Sequence, residues 1–244
     1  MCEPVEDAHE ALLESEDTAG LQAAVTRLNE AEAELVDAIG RLEPPDGAGE
    51  HFARYVDALE RYTSAASDAS AGSGDARARL TAAVEAARAG VGLEDAAATA
   101  DVPDECPPPP GVDAHNTLFA ARANLACFDI GTEMRAAGPF DAPATAREVV
   151  TALELGERVT AGIAAAVRSA ATRQVDGLPV DDIIETSRRR FMALATLRTT
   201  FEKGNYAAYR AANRELRTVT AEADRLLLSV GLLECSKALG SLPL

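Results

Sequence analysis

The apolar positions of this chain recur at the three-, four- and seven-residue spacing of amphipathic helices. A short segment near Val5 to Ser15 comes first, and a longer one follows with Leu21, Val25, Leu28, Leu35, Ile39 and Leu42. Pro44-Pro45-Asp46-Gly47 stops it, because proline lacks the amide donor and clashes with the preceding turn. A third helix carries Phe52, Tyr55, Val56, Leu59 and Tyr62 and ends at Gly72-Ser73-Gly74. Asp75 is suited to cap a fourth, which contains Leu80 and Val84.

The plan returns in the second half. One helix runs from about Asp113 to Ala137 and is broken by Gly138-Pro139. The next spans roughly Ala144 to Thr172, with Val149, Leu153, Val159, Ile163 and Val167, and stops before Asp176-Gly177. A third carries Ile183, Ile184, Phe191, Leu194, Leu197 and Phe201, and Gly204-Asn205 introduces a final helix to about Val230. Helix ends are therefore expected near Leu42, Ala71, Ala137 and Gln174. Cys106 is followed by Pro107 to Pro110 and Gly111, a stretch that favours stiff polyproline geometry. The pattern predicts an all-α chain of two tandem antiparallel helical bundles of about four helices each: residues 1–106, a proline-rich linker at 107–111, and residues 112–244.

Landmarks recur between the halves as a tandem repeat would place them. Asp46-Gly47 and Asp176-Gly177 are 130 positions apart, as are Gly74 and Gly204, while Cys106 and Cys235 are 129 apart. A rival register pairs Val91-Gly92-Leu93 with Val230-Gly231-Leu232 at 139, and helices and turns recurring by chance would leave the same trace.

Composition agrees with helices. The apolar fraction is 47%, yet only 4% of residues are aromatic and tryptophan is absent, so Ala, Leu and Val supply the hydrophobicity. Ala and Leu keep most of their side-chain freedom in a helix, whereas strands favour aromatic and β-branched runs. No run of about 18 apolar residues exists, so no transmembrane helix is expected.

Charge adds an asymmetry. The formal net charge is −17, which argues against nucleic acid as a partner, because binding that polyanion depends on basic side chains displacing counterions. Residues 1–111 hold 24 acidic residues and 7 arginines, whereas residues 112–244 hold 16 of each sign. All of the net charge therefore lies in the first half. Lys203 and Lys237 are the only lysines.

Four cysteines allow three pairings. Cys2 to Cys106 spans 104 positions and Cys127 to Cys235 spans 108, so that one bridge would close each half. Four free thiols in a cytoplasmic protein are the alternative. Cys127 stands well inside its helix, so a bridge there requires the end of the chain to reach back to it.

The run Leu42-Glu43-Pro44-Pro45, the helix with Phe52, Tyr55 and Leu59, then Gly74-Asp75, Val91-Gly92-Leu93 and Cys106 resembles secreted helical proteins and lipoproteins of actinobacteria. Gly204-Asn205 and Val230-Gly231-Leu232-Leu233-Glu234-Cys235 echo it without the Pro-Pro pair. The resemblance covers about half the chain and implies an extracytoplasmic location with no known activity. It also implies that Cys2 stands where the lipidated first residue of a mature lipoprotein would be, with any signal segment removed. A lipid anchor at Cys2 would preclude pairing with Cys106.

Candidate chemistry is sparse. Glu6-x-x-His9 has the spacing of a di-iron ligand pair, but the residues three before His51 and His115 are Ala48 and Val112, which leaves the set incomplete. Glu3, Glu6, Asp7, Glu10, Glu14, Glu16 and Asp17 lack the loop spacing of a calcium site and read as a solvated face. There is no phosphate loop, nucleophile elbow or His-Glu-x-x-His pair, so no catalytic residue, metal or cofactor is assigned.

The arginines are the most distinctive polar feature. Arg188, Arg189 and Arg190 are consecutive, and at about 100° per residue Arg210, Arg214, Arg217 and Arg225 fall within about 80° of one another. These groups are expected to face acidic groups of the first half or of an anionic partner, against the plainer reading of a solvated face. The sequence thus points to a non-catalytic extracytoplasmic binding or structural module whose partner is an unknown protein or anionic ligand. A small-molecule binder or enzyme with a cleft between the bundles, and a cytoplasmic helical adaptor, are the alternatives.

Overall fold

The computed structural model describes residues 4–5, 7–8, 11, 18–44, 48–71, 74–100, 113–136, 145–171, 175 and 177–240. Most of the expected first segment, the linker at 107–111, Cys2, His9 and Cys106 lie outside them. Within them the fold is all-α and contains no strand. The helices are α1 (Thr18–Gly40), α2 (Gly49–Ser70), α3 (Ala76–Ala100), α4 (Ala114–Ala136), α5 (Ala146–Ala170), α6 (Val180–Glu202), α7 (Tyr206–Ser229) and α8 (Leu233–Gly240). The chain divides into two compact units, Met1–Leu118 and Phe119–Leu244.

In the first unit α1 packs on α2 and α2 on α3. Ile39, Tyr55, Leu59 and Leu93 form the core, with Leu35, Val36 and Phe52 against it. The Asp75 carboxylate accepts from the Ala78 amide at 2.8 Å and so satisfies one of the unpaired donors at the start of α3.

In the second unit α5 packs on α6, α6 on α7, and α8 on both α7 and α5. Pairing of Glu157 with Arg198 and of Thr160 with Arg190 runs in opposite chain directions, so α5 and α6 are antiparallel. Arg189 with Glu222, and the Phe201 and Tyr209 rings at 5.9 Å, show the same for α6 and α7. α5 opens with a reciprocal capping box between Thr145 and Glu148. Asn205 caps α7 by accepting from the Ala208 amide at 3.2 Å. The tight α6–α7 turn is made possible by Gly204 at φ +67°, where a Cβ would be strained.

Two apolar clusters fill this unit. The larger joins Phe119, Leu155, Ile163, Val167, Ile183, Leu227 and Leu232, and the smaller joins Leu153, Leu194, Leu197 and Leu216. Along α6, Arg190 falls between Ile183 of the first cluster and Leu194 of the second; along α7, Thr220 falls between Leu216 and Ala223.

The short α8 is an element that the hydrophobic pattern did not predict. Gly231, at φ +72°, reverses the chain after α7, and the Asn124 amide of α4 fastens the turn. Its Nδ2 donates to the Gly231 carbonyl and its Oδ1 accepts from the Glu234 amide, both at 2.9 Å. A disulfide joins Cys127 to Cys235 one turn further on, with the Cα atoms 4.8 Å apart. The reach required of the chain end is supplied by this reversal. Among the described residues no helix is long and apolar enough to cross a membrane.

Candidate functional site

Arg190 is the largest of the fully buried side chains, with 2% of its surface exposed. Helical phase explains why it differs from its neighbours. Ile183, Arg190 and Leu197 are seven residues apart and share the buried face of α6, whereas Arg188 and Arg189 project from it and are exposed. Arg188 pairs with Glu185 of its own helix at 2.9 Å, and Arg189 reaches Glu222 at 2.9 Å and Glu215 at 3.7 Å on α7. The three arginines therefore do not share one surface, because the seven-residue apolar repeat carries Arg190 into the interior.

What surrounds the buried guanidinium is unusual for a charge. Its Nη1 donates to the Thr160 hydroxyl and its Nε to the Thr220 hydroxyl at 3.1 Å. The Thr160 hydroxyl in turn donates to the Gly156 carbonyl at 2.7 Å. No carboxylate of a described residue pairs with Arg190, and its Nη2 has no acceptor among them. Burial lowers its pKa to about 10. At neutral pH the group is therefore charged in the folded and unfolded states alike, and its desolvation weighs against folding. By contrast Glu157, also buried, is neutralised by Arg198, whose Nε lies 2.9 Å from Oε1.

Arg190 lines an open cleft of about 450 Å³ bordered by α6, α7 and α8. Asn213, Arg217, Thr220 and Asp224 stand at four-, seven- and eleven-residue spacing and share one face of α7. Ser236 of α8 completes the polar wall and donates to Asp224 Oδ1. Leu216 and Leu239, each 4% exposed, supply apolar surface. The volume lies in the range of small-molecule sites, about 300–1,000 Å³. Its position depends on α8, which Asn124 and the Cys127–Cys235 bridge hold in place.

The other arginines singled out by the sequence behave differently. Arg210, Arg214 and Arg217 are exposed and make no ion pair among the described residues, and only Arg217 borders the cleft. His51 is exposed and His115 half-buried. A cavity of about 410 Å³ in the first unit, bounded by Tyr62, Ala66, Ala87, Gly90 and Leu93, has no charged group among the described residues of its wall. Sequence reasoning missed the burial of Arg190, the Asp224–Ser236 contact and the salt bridge of Glu157 with Arg198. The first was within reach of the helical phase, whereas the other two needed tertiary structure. Set against protein-family models, curated proteins and solved structures, the chain matches none.

Proposed function

We propose that the chain is a non-catalytic binding module working outside the cytoplasm, and that its second unit takes up a small anionic ligand in the cleft between α6, α7 and α8. The observation that carries the reading is Arg190, a buried cation held by two hydroxyls, lacking a carboxylate partner among the described residues and lining a cleft of ligand size. A guanidinium desolvated in this way gains most from an oxyanion, which its planar fork can receive through two parallel hydrogen bonds. Arg217 at the mouth adds a second positive charge where an anion would enter. The extracytoplasmic placement is supported by the Cys127–Cys235 bridge, since disulfides persist in oxidising compartments, and by the resemblance to secreted actinobacterial proteins.

Calorimetric titration of the oxidised protein with acetate, phosphate and sulfate, against chloride as control, tests the reading. Saturable binding of at least one of these anions with one-to-one stoichiometry is expected. Heats indistinguishable from chloride for all of them would overturn it.

A further inference from the structure

The cleft holds a second charge that its surroundings leave uncompensated. Asp224 lies one turn beyond Thr220 on the same face of α7, a displacement of roughly 6 Å along the axis. Its Oδ1 accepts from Ser236, and no cation pairs with it among the described residues. A cation and an anion that border one cleft would ordinarily neutralise each other. Here each is tied to hydroxyls instead: Arg190 to Thr160 and Thr220, Asp224 to Ser236. Arg190 and Asp224 thereby border one cleft without pairing with each other. A ligand carrying only an anion would answer Arg190 and bring a like charge towards Asp224, which is unfavourable in a partly desolvated site. A ligand with charges of both signs answers both.

We propose, building on the anion-binding reading above, that the cleft recognises a small zwitterion whose carboxylate and ammonium groups are a few bonds apart, as in a free amino acid. The carboxylate is received by Arg190 with Thr220 beside it, the ammonium by Asp224, and the apolar remainder lies against Leu216 and Leu239. Ser236 holds the Asp224 carboxylate in place and leaves Oδ2 to accept from the ligand.

Titration of the oxidised full-length protein with matched pairs tests this: alanine against propionate, and 4-aminobutyrate against butyrate. At least one amino acid is expected to bind tenfold or more tightly than its plain carboxylate partner. Asp224→Asn, which keeps an acceptor for Ser236, should abolish that advantage: the amino acid binds more weakly, and the plain carboxylate, relieved of the like charge, binds as tightly as before or more tightly. Arg190→Met should remove both ligands, with helicity and melting checked to show that it folds. If matched pairs bind equally and Asp224→Asn changes nothing, the zwitterion is wrong while the anion site stands. If neither member of any pair binds and phosphate does not either, the anion site itself is refuted.

Discussion

Glu32 shows how one residue can set the pH response of a unit. It occupies the buried stripe of α1 between Leu28 and Leu35, is 6% exposed, and its Oε2 has no hydrogen-bond partner among the described residues. Burial raises its pKa from 4.5 to about 7, and burial together with the Glu32 charge raises that of Tyr62 to about 12. Below pH 4.5 the carboxyl is protonated folded or unfolded. Between 4.5 and 7 the folded state alone keeps the proton, so stability falls as pH rises through that window and the loss is complete above it. The first unit should therefore melt at a lower temperature at pH 8 than at pH 5, and Glu32→Gln should raise the pH 8 value and flatten the difference. The free-energy change is about 3 kcal/mol. Scanning calorimetry at the two pH values checks this, and an unchanged profile in the variant would remove Glu32 from the explanation. Both Glu32 and Arg190 were legible as charged residues at apolar positions of a helical repeat. The partners of Arg190 were not, because Thr160 and Thr220, each thirty positions away, leave no mark on the local pattern.

At the scale of elements, the hydrophobic spacing located the long helices well. Ends expected near Leu42, Ala71, Ala137 and Gln174 fall at Gly40, Ser70, Ala136 and Ala170. These boundaries are written in prolines, glycines and caps, which act locally. The pattern did not reveal α8, since eight residues are too few for a period to emerge, and its position is fixed by Asn124 and a disulfide contributed from α4. Mutating Cys127 and Cys235 together to Ala should destabilise the second unit by roughly 2–5 kcal/mol, in line with the loss of a long closed loop. Because Ser236, Leu239 and Gly240 are cleft residues, the same change should weaken ligand binding beyond its effect on melting. Hydrogen exchange is the appropriate measurement: amides of α8 should lose protection before those of α6. Equal protection in both forms would mean that packing alone seats α8.

For the whole molecule, the charge distribution was fully legible and bears directly on ligand choice. Residues 1–111 contain 24 acidic residues and 7 arginines, whereas residues 112–244 contain 16 of each sign, so the half that supplies the cleft is the one whose own charge does not oppose an anion. What the sequence could not show is that the arginine carried into the interior, Arg190, has no carboxylate partner among the described residues. That property separates a binding module from a bundle with a decorated surface, and it makes opposite demands on stability and function. A buried cation kept for a ligand is a burden to the empty protein, and replacing it with an apolar side chain of similar volume should be neutral or stabilising. A buried cation kept for architecture would be destabilising to remove. The decisive measurement is thermal melting of wild type and Arg190→Met, each with and without the anion that binds best. The melting temperature of the empty variant is expected to equal or exceed that of wild type, while the ligand-induced rise seen in wild type disappears. A variant that melts several degrees lower and keeps the full ligand response would contradict the account, and would make Arg190 a structural residue.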